Sequence, residues 1–363
     1  MTIYLDYQAT TPMAPEVRGA MLPWLSDKFA NPHSPHKAGR EAAAMIEVAR
    51  EAVAALLPSG GRVYFTSGAT EAINWAMRCA GSGGIAVLES EHAAVRDTGQ
   101  WLAKHRRKQT LLPVGSDGIA STKIEWPGTV GMLAAMLVNN EIGVIQPVAA
   151  LAKRAHQTGA LFLCDAVQGF GRIDIPEGPD LIAVSAHKIH GPKGIGALWV
   201  RDGVEIEPLL FGGGQEGSLR SGTLSPALCV GFGTAATLAR QRMAEDSIHV
   251  RRLWDTALSM LPHGWSINGS SENRYHGNLN IRCDGVDVAR MISELRDVAF
   301  AAGSACASGS GRPSHVLRAL GLDEHQARSS IRIGFGRYTT IAELREGLRL
   351  IFDAALRQHA IAA

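Results

Sequence analysis

The sequence has little that would favour a disulfide-bonded, zinc-binding or membrane-spanning protein. Only five of its 363 residues are cysteine: Cys79, Cys164, Cys229, Cys283 and Cys306. An odd number of widely spaced cysteines with no CxxC pair argues against a disulfide framework and a zinc site, and it is typical of a protein of the reducing cytosol. No basic stretch followed by an apolar run opens the chain, so no signal peptide is expected. The apolar run 131–138 is far shorter than the roughly 20 residues that span a membrane.

A strong charge of either sign is also missing. The 36 lysines and arginines nearly balance the 34 aspartates and glutamates, which leaves a net charge of +2. The densest basic cluster, 104–108, is explained better by a solvated helix end than by a nucleic-acid site. Neither nucleic acid nor an acidic membrane is therefore expected as a partner.

Short apolar runs alternate with helical patterns, which favours a mostly parallel α/β sheet with crossover helices. The predicted strands are 62–67, 84–90, 132–138, 161–166, 180–186 and 195–200, and the predicted helices between them are 68–80, one from Ala93, and 148–157. A long helix follows over 225–261, and shorter elements come after it. Since one core rarely grows beyond roughly 250–300 residues, we expect a large domain, 14–250, and a smaller α+β domain, 1–13 with 251–363.

Ligands in open α/β sheets collect at the carboxyl ends of the strands, where this chain has several polar clusters. Gly68, Ala69 and Thr70 stand between a strand and a helix, where N–H groups and the helix dipole favour an anion. By itself this motif is explained as well by a glycine turn with Thr70 as a helix cap. Asp165 ends an apolar run and needs a partner, either an arginine or a protonated ring nitrogen of a cofactor.

Lys188 follows a buried strand, so it is either paired or reactive. The glycines after it do not match a nucleotide P-loop, and His187 and His190 lack a third ligand for a metal site. An anion turn, an acid for a ring nitrogen and a lysine able to bind an aldehyde together indicate pyridoxal phosphate.

Cys306 lies in a run of alanine, glycine and serine, 301–311, where an apolar setting for a packed thiol is missing. One interpretation is a surface loop with an incidental cysteine. The other is a loop that moves a reactive thiol, since Gly303, Gly309 and Gly311 lower the cost of changing the backbone angles.

The chain resembles the cysteine desulfurases of the NifS/IscS type, in the class V aminotransferase fold. The resemblance covers nearly the whole chain and is carried by these segments: YLDYQATTP, ANPHSPHKAGR, FTSGATEA, EHAAV, VNNEIGVIQP, CDAVQGFG, SAHKIHGPKGIGAL, GGGQEGSLRSGT, GSACAS, SHVLRALG and IRIGFGRYTT. It implies fold type I of the pyridoxal phosphate enzymes, with a mostly parallel seven-stranded sheet in the large domain. It also implies a homodimer.

The resemblance assigns each candidate site residue a role. Lys188 would bind pyridoxal 5′-phosphate covalently, Asp165 would hold its ring nitrogen and Gln168 its phenolic oxygen. His92 would stack on the ring and help to transfer protons. The phosphate would be held by Ala69, Thr70, Ser185 and His187, with Thr223 reaching the phosphate of the neighbouring subunit. Asn140, close to the cofactor, and Arg332 would bind the substrate carboxylate, for which the planar arginine fork is suited.

Cys306 would take the sulfur of L-cysteine as a persulfide, leaving L-alanine, and pass it to a protein acceptor such as an iron–sulfur cluster scaffold or a sulfur-relay protein. The other four cysteines have structural explanations, on helices or in and after strands. Two alternatives stay open: another reaction on the same fold, such as aminotransfer or selenocysteine cleavage, and a non-catalytic partner that kept the fold.

The chain departs from the family pattern in three places. Gly217 stands where an arginine is usual, and His33 where a serine is usual. Neither position has an assigned catalytic role. The chain stops about twenty residues after Ile341, without the longer tail that helps some relatives to dock a cluster scaffold, so the sequence does not indicate which protein accepts the sulfur.

Overall fold

A computed structural model describes residues 2–105, 107–126, 129–303 and 314–362. Its strands are β1 (Ile3–Tyr4), β2 (Gly61–Thr66), β3 (Gly84–Leu88), β4 (Gln109–Leu112), β5 (Val130–Met136), β6 (Leu161–Asp165), β7 (Leu181–Ser185), β8 (Gly196–Arg201), β9 (Ser266–Ile267), β10 (Asn278–Arg282), β11 (Val298–Ala299), β12 (Ala301–Ala302) and β13 (Ser330–Gly334). Its helices are α1 (Pro15–Leu25), α2 (Lys37–Ala54), α3 (Ala69–Cys79), α4 (Ala93–Lys104), α5 (Val148–Gln157), α6 (Pro226–Ser259), α7 (Val288–Glu294), α8 (His315–Ala319), α9 (Glu324–Arg328) and α10 (Ile341–Ala362).

Seven strands form the central sheet, in the order β2-β8-β7-β6-β5-β3-β4. Strand β8 runs antiparallel to both of its neighbours, and the remaining pairs are parallel. This arrangement confirms the expected mostly parallel seven-stranded sheet. A parallel sheet needs cover on both faces, and β7 is accordingly buried at every position.

The two faces of the sheet bury two different apolar clusters. Along β6, Phe162 and Cys164 pack into a cluster with α1, α2, α5 and the first half of α6. Leu163, whose side chain points to the opposite face, packs with α3 and α4. Because β2, β5, β6 and β7 run in the same direction, their carboxyl ends lie at one edge of the sheet.

A third cluster surrounds a smaller antiparallel sheet, ordered β12-β13-β10-β9. Helices α7 and α10 cover this sheet, and Leu5 from the start of the chain packs into the same cluster. Helix α6 contributes to both cores, since Phe232 belongs to the large cluster and Leu253 and Trp254 to the small one.

The apolar patterns predicted most of the central elements to within a residue or two. Helix α5 has the predicted bounds, and β6 and β7 end at Asp165 and Ser185, one residue before their predicted ends. The sequence analysis did not predict the edge strand β4 or the helices α1, α2, α8 and α9. In the part of the chain that the structure describes, no helix combines the length and the apolar character needed to cross a membrane.

Candidate active site

A cavity of about 460 Å³ opens at the carboxyl edge of the central sheet. Ten of the twelve site residues named from the sequence line it: Ala69, Thr70, His92, Asn140, Asp165, Gln168, Ser185, His187, Lys188 and Arg332. Thr223 is exposed outside the cavity, and Cys306 lies outside the described residues. The structure therefore brings together residues that are far apart in the sequence, although it leaves their chemical roles as predictions.

The turn between β2 and α3 forms one wall of the cavity. Gly68 is the N-cap of α3 and no side chain caps the helix, so the alternative in which Thr70 is the cap is wrong. A Cβ added at Gly68 would meet no atom within 4 Å, which shows open space beside the turn. A Cβ at Gly196 would lie 2.7 Å from the Gly68 carbonyl carbon, so glycine is required there for strand β8 to approach the turn. The result is a helix N-terminus that faces a cavity, as an anion site requires.

Asp165 is buried at the end of β6. Its Oδ1 accepts a hydrogen bond from the Val167 N–H at 3.0 Å. Burial raises the pKa of this carboxyl group, and the charges of His92 and Lys188 act in the opposite direction. Among the described residues, no arginine forms an ion pair with Asp165, so the alternative of an arginine partner is not observed.

A second carboxyl group lies behind Asp165. Glu91 is fully buried, and its Oε1 accepts a hydrogen bond from the Met136 N–H at 2.6 Å. Burial, together with the charge of Asp165, raises the pKa of Glu91 well above its usual range. Two interacting buried carboxyl groups do not both ionise readily, and of these two Asp165 is the one that lines the cavity.

Lys188 ends a single 3₁₀ turn that follows β7. Its Nζ donates hydrogen bonds to the carbonyl oxygens of Gln8, at 2.5 Å, and Ala9, at 2.8 Å. Gln168 donates from Nε2 to the same Gln8 oxygen at 2.9 Å, and its Oε1 accepts from Arg172 at 2.8 Å. The backbone of residues 8–9 thus holds Lys188 and Gln168 beside each other.

Two histidines in the cavity have defined hydrogen bonds. His92 is the N-cap of α4, and its Nδ1 accepts from the Ala94 N–H at 3.1 Å, so the neutral ring carries its proton on Nε2. His187 Nδ1 lies 3.1 Å from the Thr10 hydroxyl. Burial and the nearby charges of Lys188 and Lys193 lower the pKa of His187 to about 4, so this ring is neutral near neutral pH.

Arg332 is almost completely buried on β13, and its side chain reaches the lining of the cavity. Its Nη2 donates to Asp6 Oδ1 at 2.6 Å and its Nη1 to the Asn140 carbonyl oxygen at 3.1 Å. Arg332 Nε and Asn140 Oδ1 are buried and have no hydrogen-bond partner among the described residues. Because buried polar groups are normally paired, these two atoms indicate a polar ligand at this end of the cavity.

Thr223 lies at the end of a glycine-rich segment, 212–223, that is fixed to the wall of the cavity. Within it, Glu216 pairs with Arg50 at 2.7 Å, and Arg220 pairs with Glu71 in the first turn of α3 at 2.7 Å. Gly217 has a φ of 65°, in the left-handed region that favours glycine. The contact of Thr223 with a neighbouring subunit stays a prediction.

The residues that the sequence analysis missed come mostly from the start of the chain. Asp6, Gln8, Ala9 and Thr10 contact Arg332, Lys188, Gln168 and His187. Their only signal was the polar segment YLDYQATTP, which carried the family resemblance but had no assigned role.

Comparisons with known proteins agree with this arrangement. The family model described as Aminotransferase class-V matches residues 3–346. A curated relative, Cysteine desulfurase IscS of Rickettsia bellii, is 42% identical over 370 aligned residues, which cover 97% of this chain and 90% of the relative. A solved structure of a NifS-like protein is 31% identical with a TM-score of 0.88, covering 97% of this chain and 99% of its own. Another, titled SspA in complex with cysteine, is 32% identical with a TM-score of 0.80 and covers 94% of this chain and 100% of its own.

Proposed function

Because this chain belongs to the class V aminotransferase family and is one of its cysteine desulfurases, we propose that it transfers the sulfur of L-cysteine to Cys306 with the help of pyridoxal 5′-phosphate. The observation that carries the proposal is the convergence of Lys188, Asp165 and Arg332 on one cavity, with buried polar atoms that have no partner among the described residues at its Arg332 end. The products are L-alanine and a persulfide.

The cavity fits the cofactor in its volume and in the chemistry of its walls. The open space beside Gly68 at the start of α3 suits the phosphate, with Thr70, Ser185 and His187 beside it. Asp165, the carboxyl group that lines the cavity, suits a protonated ring nitrogen. Gln168 keeps one amide hydrogen for the Gln8 carbonyl and has a second for the phenolic oxygen.

Lys188 would hold the cofactor through its amine, and the free amine would take the proton from the substrate α-carbon. When bound, pyridoxal phosphate supplies an electron-withdrawing ring that stabilises negative charge at that carbon. The Gln8 and Ala9 carbonyl oxygens orient the lysine amine by accepting its hydrogen bonds.

Arg332 and Asn140 bind the substrate carboxylate. The Arg332 side chain uses one N–H of Nη2 for Asp6 and one N–H of Nη1 for the Asn140 carbonyl, so Nε–H and the second hydrogens of Nη1 and Nη2 remain as donors. Removing a carboxylate from water requires such charged donors, and a rigid arginine supplies them in a fixed plane. The same contact orients the α-proton toward Lys188.

Cys306 and His92 complete the reaction. The Cys306 thiolate attacks the substrate sulfur, forming an S–S bond while the C–S bond breaks. The released carbon takes up a proton and becomes the methyl group of alanine, and His92, through Nε2, helps to move the protons. L-cysteine and one enzyme thiol thus yield L-alanine and one enzyme persulfide, with no external oxidant. The persulfide sulfur then passes to a protein acceptor, such as an iron–sulfur scaffold or a sulfur-relay protein.

We further propose that the chain forms a homodimer of two-domain subunits in the cytoplasm. The separate apolar clusters support domains of 14–250 and of 1–13 with 251–363, since Ala14 packs into the large core and Leu5 into the small one. The exposure of Thr223 on a fixed segment supports a contact with the neighbouring subunit.

A product analysis tests the proposed function. The enzyme, supplied with L-cysteine and a thiol reductant, should release L-alanine and sulfide in equal amounts, and mass spectrometry without reductant should find one extra sulfur atom on the Cys306 peptide. Release of pyruvate from cysteine without alanine would show a different reaction on the same fold. A protein that binds no pyridoxal phosphate and forms neither product would support the non-catalytic alternative.

A further inference from the structure

Helix α8 begins directly after residues 304–313 and is held to the active-site wall by its N-cap and its first residue. The Ser314 hydroxyl donates to Glu141 Oε2 at 2.5 Å. His315 Nε2 lies 2.8 Å from the Glu91 carbonyl oxygen. Glu141 directly follows Asn140, and Glu91 directly precedes His92. Each of the two contacts is therefore made to a residue that is next in sequence to a residue lining the cavity.

Glu141 is itself rigidly held. Its N–H donates to Asn139 Oδ1 at 2.8 Å, and its carbonyl oxygen accepts from Asn280 Nδ2 at 2.9 Å. Its side chain is buried, and burial raises its pKa to about 7, against the effect of the Ser314 hydrogen bond and of the Arg332 charge. A buried carboxyl group needs a hydrogen-bonding partner, and in the part of the chain that the structure describes Ser314 donates to this carboxyl group.

The same serine defines the start of α8. Ser314 Oγ also accepts a hydrogen bond from the Leu317 N–H at 3.1 Å, so the serine is the N-cap of a helix of only five residues. A helix this short has no stability of its own. Its apolar side takes part in a small separate cluster, in which Val316 and Leu317 pack with Ile142. Helix α8 is therefore docked on the segment that carries Asn140 and Glu141.

The chain on the other side of residues 304–313 is held in a similar way. The Gly303 N–H donates to the Ser330 carbonyl oxygen at 2.9 Å, and Ala301 pairs with Arg332 across β12 and β13. Residues 303 and 314 are thus each attached to an element that carries a candidate substrate-binding residue.

We propose that Glu141 is a positioning residue for sulfur transfer. Its hydrogen bond fixes Ser314, the residue that directly follows the segment 304–313, which contains Cys306. The proposal rests on the proposed role of Cys306 as sulfur acceptor. Glu141 contacts neither the substrate nor the cofactor in this proposal. Its loss therefore slows the step that needs the thiol and leaves cysteine binding unchanged.

Four single variants separate the hydrogen bond from the size of the side chain. Glu141→Leu and Ser314→Ala remove the bond from either side, whereas Glu141→Gln keeps an acceptor oxygen and Ser314→Thr keeps the hydroxyl and the helix cap. We expect the first two to lower kcat for alanine formation about tenfold or more, the size of effect that misplacing a reacting group produces. Glu141→Gln and Ser314→Thr should stay within about threefold of the parent.

The binding of L-cysteine is measured separately, from the change that it causes in the absorption spectrum of the holoenzyme. The dissociation constant of cysteine should stay within about twofold of the parent in all four variants. A matched control is Asp323→Ala, which removes the N-cap of the next helix, α9, on an exposed surface. It should lower stability without lowering kcat.

The double variant Glu141→Leu with Ser314→Ala completes the test. If both residues act through one hydrogen bond, its kcat should be no lower than that of the worse single variant. Three outcomes would overturn the proposal and leave Cys306 as the acceptor. They are additive losses of kcat in the double variant, an equal loss of kcat in Asp323→Ala, and a parent-like kcat in Glu141→Leu. Parent-like alanine formation by Cys306→Ser would instead overturn the proposed function, and this inference with it.

Discussion

Asp6 accepts a hydrogen bond from Arg332 Nη2 at 2.6 Å, joining residues that are 326 positions apart in the sequence. The arginine side chain is only 1% exposed, and a buried guanidinium without an anionic partner would be strongly destabilising. The pair also fixes the plane of the guanidinium, because Nη1 is held by the Asn140 carbonyl oxygen. Asp6 is thus a positioning residue for the proposed carboxylate site.

Replacing Arg332 by alanine should weaken the use of L-cysteine and leave the cofactor bound. Its proposed partner is the substrate carboxylate, and removing a bidentate charged interaction from a desolvated site lowers kcat/KM by roughly 10²-fold or more. Steady-state kinetics and the absorption spectrum of the bound cofactor measure the two effects. An unchanged kcat/KM would show that Arg332 is a structural ion-pair residue.

Two substitutions of Asp6 test how far the same site depends on the hydrogen bond from Arg332. Asp6→Asn keeps an oxygen acceptor for Arg332 Nη2 and should raise KM less than Asp6→Ala, which leaves the arginine without its anchor. The cofactor spectrum should be unchanged in both. If Asp6→Ala left KM at the parent value, the orientation of Arg332 would not depend on Asp6.

Borohydride reduction of the holoenzyme should attach the cofactor to Lys188. Lys193 also lines the cavity and provides the matched comparison, since it lies in the glycine-rich turn after Lys188. We expect the reduced adduct on the Lys188 peptide, retention of the adduct in Lys193→Ala, and its loss in Lys188→Ala. Peptide mapping by mass spectrometry distinguishes the two lysines, and an adduct on Lys193 would contradict the assignment.

His190 should make the stability of the protein sensitive to acid. Burial, together with the charge of Arg337, lowers the pKa of its imidazole from 6.5 to about 3. Since the unfolded chain takes up a proton near its ordinary pKa and the folded one does not, the contribution of His190 is complete above pH 6.5 and declines as the pH falls toward 3. The slope approaches about 1.4 kcal/mol per pH unit in this range.

Urea unfolding at about pH 7.5 and about pH 5.5 measures this contribution. His190→Asn is the informative variant, because the backbone here has a φ of 67°, which asparagine tolerates, and because asparagine does not titrate. The variant lacks the imidazole ring that packs against Tyr7 and Tyr338, so it should be less stable at both pH values. Its stability should nevertheless fall less between them than that of the parent, and an equal fall would show that other groups cause the acid sensitivity.

The sequence predicts the parts of this site that follow from local patterns. Asp165 and Ser185 end continuous apolar runs, which is why their strands, their position at the sheet edge and their neighbourhood could be predicted. The contacts of Asp6 with Arg332 and of Gln8 with Lys188 follow from how distant segments pack, and a polar segment without periodicity carries no such signal. The five-residue helices α8 and α9 are likewise too short for a periodic pattern.

Replacing Cys306 by serine should separate cofactor and substrate binding from sulfur transfer. Lys188, Asp165 and the anion turn are untouched by the change, so the variant should stay yellow, and L-cysteine should still alter its absorption spectrum. Serine is nearly isosteric, but its hydroxyl is not ionised near neutral pH and is a poor nucleophile toward sulfur, so alanine and sulfide production should collapse.

The matched control is Cys283→Ser. Cys283 is a partly exposed cysteine that follows β10 and lies outside the cavity, so this variant should keep the parent rate. Alanine release by Cys306→Ser at near the parent rate would show that another group accepts the sulfur. Loss of the colour as well would mean that Cys306 supports the fold or the cofactor instead of taking up the sulfur.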